Sequence, residues 1–261
     1  MPHSKKEYFT DFSACHNFKE LWESLHYQLK PFKIKSVFYG ISYSKKSIDE
    51  IGLLRTVVYK TSHPKAYREL LSSALHDEMP NDNKYKMLLD EDLTAKQIFL
   101  TDKPYFIWGD PNNWHAATNA EKEVDKQLID LELVTGVTIP LRKEKLLAGV
   151  GLSAGLLSKN IFDQIWAESS EQILKIANDF NHYVLTFNSH IESFIGLTDH
   201  QKEVFLKHLF LGNSKLVAEH FNCSERNISD ILSAVRTKFN VTTNEQASVK
   251  ANTFGVLPLN S

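Results

Sequence analysis

The stretch FNCSERNISDILSAVRTKFNV, Phe221 to Val241, decides how the last quarter of this chain is read. Ile228, Ile231, Leu232, Val235 and Phe239 recur at helical spacing and share one stripe. That stripe must pack inward, since exposing it would forfeit several kcal/mol at about 25 cal/mol per Å² of apolar surface. The opposite face carries Arg226, Asn227, Ser229, Asp230, Ser233, Arg236 and Lys238. A helix that is merely solvated tends to show long Glu and Lys side chains there. Ser and Asn inside a helix lower its propensity and add nothing to packing. Short polar groups near the N-terminal half, flanked by basic ones, suit a helix that meets base edges while phosphates are held around it. Asp230 is the discordant residue. Its carboxylate repels phosphate, yet it can accept a hydrogen bond from a cytosine amino group. The residues alone leave a DNA reader and an ordinary surface helix both standing.

Working outward, Thr198 and Gln201 have capping-box spacing, and the helix they open carries Val204, Phe205, Leu209 and Phe210 up to Gly212. Ser214 is placed to cap a short helix, KLVAEHF, Ser224 caps the next, and Thr242 with Glu245 opens the last. A short helix, tight turn and longer helix in the middle have helix-turn-helix proportions. Glu219, Glu225 and Asp230 place three acids near the turn, so tight binding is expected to need a dimer.

The preceding residues mix both periods. FKELWESLHYQL puts Phe18, Leu21, Trp22, Leu25 and Leu29 on one helical stripe, and SVFYGISYS and LLRTVVYK read as strands. YRELLSSAL reads as helix and HDEMPNDNKY as a loop. A charged helix through AEKEVDKQLIDLEL leads to two strands, TGVTIPLR and LLAGVGLSA, joined at KEK. The expected fold is α+β, an antiparallel sheet between helices, followed by an all-α module. A long helix is expected from Ser169, capped with Gln172, as a packing helix or a subunit contact. The expected division is 1–188 for sensing and dimerisation, 189–196 as linker and 197–261 for DNA.

Residues 197–247, LTDHQKEVFLKHLFLGNSKLVAEHFNCSERNISDILSAVRTKFNVTTNEQA, resemble the LuxR-type helix-turn-helix of bacterial transcription regulators. Leu197, Thr198, Glu203, Val204, Gly212, Ser214, Ala218, Ser224, Ile228 and Lys238 fall on its pattern. His200 and Gln201 replace its usual Arg-Glu pair, and one extra residue precedes Gly212. The resemblance implies that Ser229, Asp230 and Ser233 face bases, with Asn227 beside them. It assigns Ser224, Arg226 and Lys238 to phosphate or positioning contacts.

The segment KPYFIWGDPNNW…LELVTGVTIPL is similar to the acyl-homoserine-lactone-binding domain of quorum-sensing receptors. That resemblance implies that Asp92 accepts a ligand amide N–H and Trp108 donates to a ligand carbonyl. It puts Thr94 beside the aspartate, Gly136 in a structural role and Thr138 at a strand position near the pocket, with Gly151, Leu152 or Ser153 at a pocket position usually held by a small polar residue. His63 and Tyr67 stand where a Tyr and a Trp are expected, and Leu71 and Leu93 replace a Tyr and a Pro. The bland alternatives are a core aromatic for Trp108 and a helix cap or solvated acid for Asp92.

Composition is ordinary, with 42% apolar and 24% charged residues and a formal net charge of −2, which argues against a protein that coats nucleic acid indiscriminately. Cys15 and Cys223 have no metal-ligand spacing, no run of about 18 apolar residues offers a membrane span, and a cytoplasmic location is expected. An enzyme finds little support. His76 to Glu78 in LHDE has no second ligand cluster, and no phosphate loop or nucleophile elbow occurs. The acidic cluster and lysine of a receiver domain are also missing. The expected protein is a homodimeric regulator without cofactor or metal, its partners promoter DNA, a small signal molecule and, by implication, RNA polymerase. The alternative is a ligand-independent regulator whose first domain only dimerises.

Overall fold

Alternation of large and small side chains organises the sheet in this computed structural model, which describes residues 11–42, 57–67, 94, 96–97, 103–109, 118–143, 146–186, 188–254 and 256–257. The chain divides into two compact units, Met1–Tyr183 and Val184–Ser261. In the first, a 3-10 turn at Phe12–Ala14 leads to helix α1, Phe18–Leu29. Asn17 caps α1 by accepting from Glu20 N at 3.1 Å. Five strands follow: β1 Ser36–Ser42, β2 Val58–Thr61, β3 Phe106–Ile107, β4 Thr135–Lys143 and β5 Leu146–Gly155. Helix α2, Asn119–Asp130, lies between β3 and β4 and starts in a full capping box of Thr118 and Glu121. The strand order is β2-β1-β5-β4-β3, and every pairing is antiparallel.

Register decides which side chains share a face, since directly opposed residues point the same way. Phe38 of β1 pairs with Gly151 of β5, which pairs with Thr138 of β4. One face therefore carries Val37, Tyr39, Ile41, Val137, Ile139, Leu141, Val150 and Leu152, all buried. Tyr39 meets Phe18 of α1 and Phe180 of helix α3, Lys159–Thr186, at ring-centroid distances of 6.4 and 5.0 Å. Its hydroxyl donates to Asn181 Oδ1 at 2.8 Å. The other face is built from Ser36, Phe38, Gly40 and Ser42, Gly136 and Thr138, and Gly149, Gly151 and Ser153.

Helix α3 begins ten residues before the expected Ser169. Phe162 and Trp166 extend its buried stripe toward the N-terminus, and Ser169 and Ser170 are half-buried at the next turn. Those two serines interrupt the apolar pattern and so imitate a helix start. The YRELLSSAL helix beyond Tyr67, the HDEMPNDNKY loop, LHDE and Asp92 lie outside the described residues.

In the second unit, the segment expected to link is helix α4, Asn188–Ile195, ended by Gly196. Four helices follow: α5 Asp199–Leu211, α6 Ser214–Phe221, α7 Glu225–Phe239 and α8 Asn244–Thr253. Thr198 and Gln201 form the expected capping box, and Gly212 ends α5 at φ 63°. That left-handed conformation suits glycine. Two caps sit one residue from their expected places: Asn213, not Ser214, opens α6, and Thr243 with Gln246, not Thr242 with Glu245, opens α8. In both cases adjacent residues can cap, and the choice falls outside the local pattern. Phe210, named with Val204, Phe205 and Leu209 among the apolar residues of α5, is 82% exposed, whereas Phe205 is buried. Five residues from Phe205 it is turned about 140° away, so it cannot share that buried side. Lys250 of α8 closes the other end of α7 by donating to Phe239 O at 2.9 Å.

Candidate functional site

The small-residue face of the sheet gathers most of the expected pocket residues. Trp108 follows β3 and its indole lies against Gly136, where a Cβ would come within 2.7 Å of the ring and 2.3 Å of Leu152 O. This close approach explains the glycine. The indole Nε1–H donates to Thr138 Oγ1 at 2.8 Å, with Trp108 4% and Thr138 0% exposed. Trp108 also packs with Tyr67, Val124, Leu128 and Leu133, against Phe38 and Tyr59. Tyr67 meets the His63 ring edge-on at 5.0 Å. His63, Tyr67, Trp108 and Thr138 thus form one continuous run of contacts.

Ser153 shares this face and is fully buried, its Oγ accepting from Gly155 N at 3.0 Å. Thr94 is half-buried in a helical segment. Two residues on, Lys96 reaches Glu121 at the start of α2 with an Nζ to Oε1 distance of 3.0 Å. The structure adds Ser36, which was not among the expected residues. Its Oγ lies 2.7 Å from His63 Nδ1, and it is the register partner of Ser153. Alternation in SVFYGIS was the available signal, but Phe38 among the small positions obscures it. Ser42 Oγ on the same face is buried without a hydrogen-bond partner among the described residues. A cleft of about 690 Å³, lined by residues such as Phe12, Tyr27, Lys175 and His182, contains none of the expected pocket residues.

In the second unit Ile228, Leu232, Val235 and Phe239 are buried, whereas Ser224, Arg226, Asn227, Ser229, Asp230 and Ser233 are all exposed. Ser224 caps α7, accepting from Asn227 N at 3.2 Å. Arg236 donates from Nη1 to Asn244 Oδ1 at 2.9 Å, joining α7 to α8. The resemblance assigns Lys238 to a phosphate or positioning contact. Its ammonium donates to Gly196 O and, at 2.8 Å, to Gln201 Oε1. Partial burial pushes its pKa down. Lys238 therefore ties α7 to the start of α5. The Gln201 found where the resembled pattern has a charged partner supplies the acceptor.

No protein-family model matches the chain, and no curated protein matches it. Among solved structures the chain is similar to Escherichia coli SdiA, at 14% identity over 94% of each chain with a TM-score of 0.45. It is also similar to SdiA in complex with octanoyl-rac-glycerol, at 14% identity over 98% of each chain with a TM-score of 0.48. Among the described residues no helix is long and apolar enough to cross a membrane, and no group of three or more His, Cys, Asp or Glu is placed to hold a metal.

Proposed function

We propose that this chain is a non-enzymatic, ligand-responsive transcription regulator of the LuxR type, acting as a cytoplasmic homodimer. Met1–Tyr183 takes a small signal molecule against the small-residue face of the sheet. Val184–Ser261 binds promoter DNA, with α6 and α7 as its helix-turn-helix. The observation that carries the reading is the division of α7: Ile228, Leu232, Val235 and Phe239 are buried and Ile231 half-buried, while Ser224, Arg226, Asn227, Ser229, Asp230 and Ser233 stand in water on the other side. Such a surface adds little to the fold and much to recognition of base edges and phosphates. The signal acts by binding more tightly to the DNA-competent arrangement than to its alternatives.

A second reading has its own observation. The Trp108 N–H is committed to Thr138, and Tyr67 and Trp108 pack in an apolar cluster. That favours a first unit that closes on itself and only dimerises. Selection of sites from a random duplex pool by the intact protein tests the DNA role. A two-part, symmetric motif is expected, and its absence would sink the proposal. Mass spectrometry of an organic extract of the same protein, beside Asp92→Ala and Trp108→Ala, separates the two readings. A molecule lost in both variants supports the sensor; an empty extract, with no rise in melting temperature in cell extract, supports the dimerising unit.

A further inference from the structure

Two cations leave the C-terminal half of α7 by opposite borders of its buried stripe. Lys238 turns to the start of α5 and donates to Gly196 O and Gln201 Oε1. Arg236 leaves on the side of Ser229 and Ser233: at about 100° per residue the three lie within about 60° of one another. It is half-buried. One of its donors, on Nη1, goes to Asn244 Oδ1 at 2.9 Å, and the guanidinium bonds to no other group among the described residues. Arginine has five donors in a planar fork, so a guanidinium held at one corner keeps an ordered edge for an anion.

Asn244 is the first residue of α8, whose start is fixed by the capping box of Thr243 and Gln246. Its amide is oriented by what its neighbours can do. Arginine only donates, so Oδ1 must face Arg236, and Nδ2 then faces His208 Nε2, 3.0 Å away on α5. Nε2 is therefore the acceptor, and the imidazole proton sits on Nδ1, which is buried without a partner among the described residues. A charged ring would set Nε2–H against the amide N–H and break the chain at its first link. Burial lowers the pKa of His208, Glu245 of α8 raises it and Arg236 of α7 lowers it. Among the described residues no charge on α6, which also packs on α5, bears on it. The net shift is downward, which keeps the ring an acceptor near neutral pH.

We infer that Arg236 is a phosphate contact of α7, held in place by Asn244 and, through it, by His208, so that α5 and α8 help set the DNA affinity of the reading helix. The inference rests on the DNA reading above. It is tested with the intact protein on a random-sequence duplex over a range of salt. Arg236→Gln should weaken binding and lower the salt slope by about one unit. Asn244→Ala keeps the charge but frees it, so binding should weaken about fivefold, since the side chain must then be ordered on binding. In the Arg236→Gln background Asn244→Ala should have no further effect, whereas an asparagine that only supports the fold would weaken both backgrounds alike. His208→Gln keeps an acceptor that cannot titrate and should bind like wild type at neutral pH. As pH falls, wild type should weaken relative to His208→Gln; the exposed His200 and His220 are common to both and cancel. Unchanged affinity and slope in Arg236→Gln overturn the inference and leave the DNA reading standing. So does an equal loss from Asn244→Ala in both backgrounds. Parallel pH profiles overturn it as well, as does a wild type that gains on His208→Gln at low pH, where His208 would add only its charge. If wild type binds no duplex, the DNA reading falls and this inference with it.

Discussion

Ser229 and Ser233 on α7 stand in water, whereas Ser36, Thr138 and Ser153 on the sheet are buried. Both candidate sites are faces of short polar side chains, but the physics acting on them is opposite. A hydroxyl in water exchanges one partner for another at little cost. A buried hydroxyl, or the group it serves, loses about 1–3 kcal/mol when its partner goes. On the sheet Thr138 holds the Trp108 indole, Ser36 holds His63 and Ser153 holds the Gly155 amide. Changes on this face should therefore register first in stability. Changes on the α7 face should register only in DNA binding.

The largest expected effect is at Gly136. A methyl group there would meet Leu152 O at 2.3 Å and the Trp108 ring at 2.7 Å, so backbone must move. Gly136→Ala should destabilise the first unit by about 3 kcal/mol. Gly151, two strand positions from Ser153, is the control: its nearest neighbours to an added methyl lie at 3.7 Å. Gly151→Ala should change stability by less than about 1 kcal/mol. All four tryptophans lie in Met1–Tyr183, so urea unfolding followed by tryptophan fluorescence reads this unit alone. Equal effects of the two alanines would show that the face is not organised around Trp108.

The contrast between Gly136 and Gly151 also shows where reading the sequence reaches its limit. The helical unit was legible because its signals are local. A cap acts across three residues, a stripe repeats every three or four, and Gly212 stops α5 within one turn. The errors there, at Ser214 and Thr242, are slips between neighbouring residues of similar chemistry. The hairpin of β4 and β5 was legible for the same reason. The sheet's small-residue face was not, since Ser36 meets Ser153 through a register 117 positions long in the chain (153 less 36). Trp108 and Thr138 were both singled out, yet nothing within thirty residues of sequence says that one satisfies the other. Lys238 fits a phosphate contact by position alone, and only the fold brings Gly196 and Gln201 to its ammonium.

A smaller effect follows from His63. Its pKa is about 3 in the folded chain, against 6.5 for an unperturbed imidazole. Below pH 6.5 the unfolded chain takes up a proton that the folded chain refuses, so stability present above that pH is lost as pH falls toward 3. The slope is about 1.4 kcal/mol per pH unit, or about 2 kcal/mol between neutrality and pH ~5. His63→Gln should flatten that part of the stability curve, again followed by tryptophan fluorescence. His26, whose pKa burial also lowers, acts in the same direction in both proteins, so their difference reports His63 together with its charge coupling to His26. Parallel curves would place His63 in contact with water.

The smallest effect on the fold is expected on α7, where it is also the most informative. Arg226→Gln and Asp230→Asn remove exposed charges that no buried group depends on, and each should shift stability by less than about 0.5 kcal/mol. Their effects on DNA should part company. An arginine that holds phosphate contributes to every sequence alike, so Arg226→Gln should weaken binding uniformly and lower the salt slope by about one unit. A carboxylate that accepts from a cytosine amino group contributes only where that base stands. Asp230→Asn should then relax the preference at one position in each half-site by about 1–3 kcal/mol, with the salt slope little changed. If Asp230 instead only opposes phosphate, Asp230→Asn will tighten binding to all sequences and steepen the slope. Only the second outcome changes binding to non-specific DNA, so a single salt titration on a random duplex decides between them. The first would make Asp230 part of the proposed reading surface, the second an electrostatic brake on it.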